Sequence, residues 1–112
     1  TSTAVRTLST TELVVREFGT DVEVRSMRDL YLASPQTYVE VLKRMGGEDS
    51  PIMVVGHNPG ISALVTVLSG EYKEMTPGEL AAIELDINIW SDIEGREEGR
   101  LIDVWRPRGL HD

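Results

Sequence analysis

The residues best placed for chemistry are Gly56, His57 and Asn58, in the stretch Val54-Val55-Gly56-His57-Asn58-Pro59-Gly60-Ile61. An apolar run over 51–55 stops at Gly-His, and a helix signature begins at once. Asn58 suits an N-cap, and Pro59 suits the first helical position, where its missing N–H would be unpaired anyway. Ile61, Leu64, Val65 and Leu68 follow at helical spacing, and Gly70 closes the segment. A strand therefore delivers an imidazole to the positive end of a helix. Free N–H groups and the helix dipole favour an anion there. His57 and Asn58 are half of a phosphate site.

The elements that must carry this half-site alternate along the chain. A first helix is predicted over 3–18, with Ala4, Leu8, Thr11, Val15 and Phe18 on its inner face and Gly19 at its end. Residues 22–25 read as a short strand, and 27–33 as a connection holding Leu30, Tyr31 and Leu32. Ser34-Pro35 opens a second helix, with Tyr38, Val41, Leu42 and Met45 as core, before the break at 46–50. After the 51–55 strand and the 59–69 helix, a turn at Thr76-Pro77-Gly78 leads into a long strand over 80–90. In that strand Ile83, Leu85, Ile87 and Ile89 alternate with Glu84, Asp86, Asn88 and Trp90, the pattern of a half-buried sheet face. Residues 91–99 read as a solvated hairpin loop, and 100–105 as the returning strand. The acidic residues Asp92, Glu94, Glu97 and Glu98 lack calcium-loop spacing and read as the loop's polar tip.

Composition narrows the class. The chain has 112 residues, one domain's worth, with 40% hydrophobic and 27% charged residues, as expected of a globular protein. Nineteen acidic against 11 basic residues leave a net charge of −8, which argues against nonspecific binding to nucleic acid or to an anionic membrane. It does not exclude a small anionic substrate held by local arginines. The absence of cysteine removes disulfides, a thiolate nucleophile and cysteine metal sites, and it fits a cytoplasmic protein. There is no Gly-x-Ser-x-Gly, Walker-type loop or zinc spacing, so serine hydrolase, NTPase and metalloenzyme readings lack support.

Five segments, in order, resemble the histidine-phosphatase (phosphoglycerate mutase-like) superfamily. Ser2-Thr3-Ala4-Val5-Arg6 followed by Thr10 resembles its helix-opening S-x-x-x-R-x-x-x-T element. Leu30-Tyr31-Leu32-Ala33-Ser34-Pro35 and Val54-Val55-Gly56-His57-Asn58-Pro59 resemble the small SixA-like branch, the phosphohistidine phosphatases. Met75-Thr76-Pro77-Gly78 stands where that branch has a Pro-Thr-Gly-like turn, with Thr and Pro exchanged, and Trp105-Arg106-Pro107-Arg108 is similar to its closing Arg-Pro segment.

The resemblance implies an α/β fold, a three-layer α/β/α sandwich with a mixed sheet. It also implies a metal-independent phosphatase, without cofactor, working through a phosphohistidine intermediate. Arg6 then matches a phosphate-clamping arginine, presenting a planar fork of donors to two phosphoryl oxygens. His57 matches the family's second histidine, donating to a third oxygen in the transition state. Arg6 and His57 are thus the catalytic candidates, and Asn58 joins them as a substrate-binding candidate. The implied partner is a phosphohistidine on a protein, such as a phosphorelay domain, or a small phosphate ester. Oligomers are possible.

The nucleophilic histidine of the family lies in an Arg-His-Gly motif at the end of the first strand, and this sequence has no such motif. Its other histidine, His111, lies in the tail. Two readings follow. In the first, the sequence begins partway through a fold, and the nucleophile belongs to a segment absent from it; the sheet then has unpaired backbone and an apolar slot. In the second, the chain is an inactive phosphate-binding or protein-interaction module. Outside the family context, His57 is a turn histidine satisfied by backbone, Arg6 a solvated or ion-paired charge, and Arg106 and Arg108 surface charges or members of an ion pair.

Overall fold

A computed structural model describes residues 1–18, 23–48, 51–76, 78–96 and 99–106, the side chain of Phe18 excepted. The chain forms α1 (Val5–Phe18), a 3₁₀ turn (Arg28–Leu30), α2 (Pro35–Met45), α3 (Gly60–Ser69), β1 (Leu80–Leu85), a second 3₁₀ turn (Trp90–Asp92) and β2 (Gly99–Trp105). Helices and a two-stranded antiparallel sheet make it a mixed α and β protein. No described helix is long and apolar enough to cross a membrane.

Local chemistry accounts for the helix ends. Ser34 caps α2 by accepting the Thr37 N–H at 3.4 Å, and Pro35 stands in the first turn, where no N–H is needed. Gly70 ends α3 in the left-handed region at φ 75, a conformation that costs glycine nothing. The start of α3 differs from the expectation. The N-cap is Pro59, no side chain caps it, and helical structure begins at Gly60. Asn58 is not the cap, because its carboxamide is bonded elsewhere.

The core forms between α2 and α3, from Leu30, Tyr38, Val39, Val41, Leu42, Leu64 and Leu68. Ile83, Leu85 and Ile87 of the β1 side pack on it. Met45, expected inside, is 38% exposed at the end of α2. On α1 the inward residue is Thr7, at 3% exposure, while Leu8 turns outward. That rotation follows from an anchor of hydroxyls: Ser2, fully buried, bonds Thr7 Oγ1 at 2.8 Å, and Thr7 also donates to the Ser2 and Ala4 carbonyls. Among the described residues α1 packs against none of the other helices or strands. Its N-terminal turn is what holds it.

β1 is shorter than the alternation predicts. The inward–outward pattern holds through Ile87 and then breaks: Ile89 is 38% exposed, while Trp90 packs on the core. The reason lies in α2. Trp90 sits so close to the Gly46 backbone that a Cβ there would be 2.4 Å from its Cγ, and the Trp90 N–H donates to the Gly47 carbonyl at 3.2 Å. The connection after β1 is also not simply a solvated loop, for Ile93 is fully buried. Glu97 and Glu98 of its expected acidic tip lie outside the described residues, as do Gly19, Val22, Pro77, Pro107, Arg108 and His111.

The segments expected to be strands at 22–25 and 51–55 form no ladder of their own among the described residues. Each is tied to the first two residues instead. Ser2 makes a parallel bridge with Met27, the Met27 N–H donates to the Thr1 carbonyl at 2.8 Å, and the Thr1 amine donates to the Arg25 carbonyl at 2.9 Å. On the other side the Ser2 N–H donates to the Val55 carbonyl at 3.2 Å. Thr1 and Ser2 thus run between two extended segments.

Candidate functional site

The hydrogen bond from Ser2 to Val55 organises the site. It joins the backbone four residues before Arg6 to the backbone two residues before His57. The first turn of α1 and the turn entering α3 therefore emerge from neighbouring points of the fold. Arg6 is exposed and forms no ion pair among the described residues. His57 is half-buried, and its side chain likewise bonds no described residue. Its backbone carbonyl accepts the Ile61 N–H at 2.8 Å, which fixes the turn at the head of α3. A guanidinium and an imidazole, each without a partner among the described residues, suit an external anion.

Asn58 is engaged differently. Its Nδ2 donates to the Met75 carbonyl, and its Oδ1 accepts from Ser62 Oγ. The Met75 N–H in turn donates to Ser62 Oγ at 2.8 Å. This closed set ties the head of α3 to the segment before β1. Both polar groups of the carboxamide have protein partners, so Asn58 holds the His57 turn in place. Sequence spacing gave no sign of this, because the partners lie four and 17 residues away.

Behind Met75 lies an ionic cluster that spacing also missed. Glu79 pairs with Lys73 at 3.4 Å and with Arg106 at 2.9 Å, and it accepts the Thr76 N–H at 2.7 Å. The Thr76 backbone donor chiefly, then Arg106 and Lys73, hold its carboxyl down to about 2, against a partial opposing effect of desolvation. Arg106, expected to be surface charge or an ion pair, is the latter. Its cluster pins the end of β2 to the turn at Thr76.

Beneath His57 stands Tyr38, read from the sequence only as core. Its side chain is 1% exposed, and its hydroxyl has no hydrogen-bond partner among the described residues. Burial pushes the phenol pKa up, and the His57 backbone beside it pulls the other way. The sequence signal was there in the two glycines flanking His57, which leave room for a ring.

A sizeable concavity lies elsewhere among the described residues. It measures about 860 Å³ and is lined by Glu84, Asp86, Asp92 and Glu94, with Arg100 at its edge. Its acidic wall repels phosphate, and Arg100 is already paired with Glu84 at 3.0 Å. No set of three or more metal-ligating side chains occurs among the described residues.

Two proteins of Mycobacterium tuberculosis, from strains CDC 1551 and H37Rv and both described as uncharacterized, are similar to this chain. Each is 31% identical over 103 residues, covering 83% of this chain and 63% of the relative. The chain therefore spans less than two thirds of the length of the curated relatives it matches. No known family matches the chain by sequence profile, and no solved structure matches it.

Proposed function

We propose that this chain is the larger part of a SixA-like phosphohistidine phosphatase, built as a three-layer α/β/α sandwich with a mixed sheet. Its substrate is a phosphohistidine on a partner protein or a small phosphate ester, and its compartment is the cytoplasm. One observation carries the reading. The Ser2–Val55 hydrogen bond brings the start of the Arg6 helix beside the His57 turn, and neither side chain has a described partner.

In this mechanism Arg6 engages two equatorial oxygens of the phosphoryl group, and His57 donates to a third. Charge on the oxygens is neutralised as the bond to the leaving imidazole breaks. Asn58 keeps the His57 turn fixed through Ser62 and Met75. The nucleophilic histidine comes from a segment outside this sequence, since the chain contains no Arg-His-Gly. Without that nucleophile the pocket binds phosphate and does not turn over. The alternative, an inactive phosphate-binding or interaction module, rests on the same absence.

The test compares the 112-residue chain with the product of its full open reading frame, each offered a phosphohistidine-bearing phosphorelay domain. The expected result is phosphate release and a trapped phosphohistidine from the full product, with phosphate binding alone from the shorter chain. Arg6→Ala and His57→Ala each weaken inorganic phosphate binding about tenfold or more, the loss of one charge-assisted contact. A full product that neither hydrolyses the substrate nor carries phosphate excludes the enzyme. Unchanged phosphate affinity in both variants excludes the site altogether.

A further inference from the structure

The turn that carries His57 rests on a tyrosine. A Cβ on Gly56 would lie 1.9 Å from the Tyr38 hydroxyl oxygen and 2.8 Å from Cζ. A Cβ on Gly60 would meet the Ala33 carbonyl oxygen at 2.0 Å and Tyr38 Cε2 at 3.5 Å. The glycines before and after His57 thus leave the volume that Tyr38 and the chain entering α2 occupy. The hydroxyl meets the backbone one residue before His57, enclosed and without a hydrogen-bond partner among the described residues. A buried hydroxyl left unbonded is unfavourable for folding, so phenylalanine would serve core packing at least as well. What the hydroxyl adds is reach: it is the atom that a Cβ on Gly56 would meet first.

We propose that Tyr38 is a positioning residue for His57, its phenol wedged beneath Gly56 and Gly60 so that the imidazole leaves the 52–57 segment in the direction that meets phosphate. This rests on the phosphate-site reading of His57 and Arg6. α2 supports the wedge rigidly. Its Val39, Val41 and Leu42 are buried, and Trp90 packs at its far end against Gly46. Tyr38 does not touch the ligand. It acts by setting where the turn lies.

The experiment follows the His57 imidazole carbon–proton signal by NMR and measures inorganic phosphate binding in the same samples. The chain has two histidines, and the His57 signal is the one lost in His57→Gln. Tyr38→Phe keeps the ring and removes the wedge tip. The expected result is a displaced His57 signal in the free protein and phosphate affinity weakened about fivefold or more, with an unchanged or higher melting temperature. Gly56→Ala drives the same contact from the other side and displaces the signal too. Adding Tyr38→Phe to Gly56→Ala removes the 1.9 Å clash and recovers part of the lost affinity. A merely structural tyrosine predicts neither the displaced signal at full stability nor the recovery.

A His57 signal unmoved in folded Tyr38→Phe overturns the proposal. Should that variant fail to fold, an unmoved signal in Gly56→Ala overturns it instead. If the unmodified protein does not bind phosphate, the phosphate-site reading falls, and the signal in the free protein alone decides whether Tyr38 positions His57.

Discussion

Replacing Asn58 by alanine separates two roles open to that residue, ligand to phosphate and clasp of the turn. In the structure the carboxamide gives its N–H to the Met75 carbonyl and takes the Ser62 hydroxyl, which in turn receives the Met75 N–H at 2.8 Å. Met75 is 7% exposed, so its carbonyl loses a donor where water is scarce. One net hydrogen bond contributes about 1 kcal/mol, and an enclosed group left without a partner costs about 1–3 kcal/mol. Asn58→Ala should therefore destabilise the fold by about 2 kcal/mol. For a domain of this size that lowers the melting temperature by about 8 °C. Ser62→Ala breaks the same circuit and should cost a similar amount. Because the two share partners, the double variant should fall short of the sum by about 1 kcal/mol. Urea denaturation of the four proteins measures the cycle, and calorimetric titration with inorganic phosphate measures binding at a temperature where all are folded. Phosphate affinity in Asn58→Ala should stay within about threefold of the parent, less than the loss of a charge-assisted ligand contact. Stability unchanged in Asn58→Ala, or a double variant additive within about 0.5 kcal/mol, refutes the clasp.

Other outcomes follow from the same geometry. Ile93→Ala empties a fully buried position in the hairpin connection and should cost about 2–4 kcal/mol in urea denaturation, with Ile93→Val near 1 kcal/mol. An effect below about 0.5 kcal/mol for the alanine variant would show that the connection is solvated after all. Glu79 has a depressed folded pKa, about 2 against an ordinary value of 4.5, so its stabilisation is complete above pH 4.5 and is lost as pH falls towards 2. Glu79→Gln should flatten that acid limb in melts from pH 5 to 2, and an unchanged limb would contradict the assignment. Ser34→Ala removes the cap of α2 and should cost about 1 kcal/mol, read as a drop in helicity and melting temperature together.

The parts of the fold legible in the sequence are those governed by local rules. Ser34-Pro35 opened α2 as capping chemistry requires, Gly70 closed α3, and Leu64, Val65 and Leu68 are buried where helical spacing put them. Periodicity also found β1 and β2 and their antiparallel pairing. It failed where tertiary contacts override the period. The strand over 80–90 stops at Leu85, and Trp90 reaches Gly46 instead of continuing the face. Leu8 is exposed because hydroxyl bonds between Ser2 and Thr7 rotate α1 onto a polar anchor, a preference that no hydrophobic count detects. At the proposed site, His57 and Arg6 stand out in the sequence as residue types in a motif. The Asn58–Ser62–Met75 circuit, the Glu79 cluster and the Tyr38 wedge were not, because each joins residues that only the folded chain brings together.

The tie between Ser2 and Val55 also governs when the site can form. It closes a loop of about 50 residues, and that closure must be offset before any contact across it contributes. The packing of α2 on the first 3₁₀ turn and the β1–β2 hairpin need much shorter loops and should be in place earlier in folding. Substitutions at Ser2 and Thr7 should then leave the folding rate nearly untouched and accelerate unfolding, while Leu42 or Leu64 truncations slow folding itself. The edge bearing Arg6 and His57 should accordingly be the last part assembled and the first to open. Its persistence should then depend on the hydroxyl anchor of α1 more than on the core.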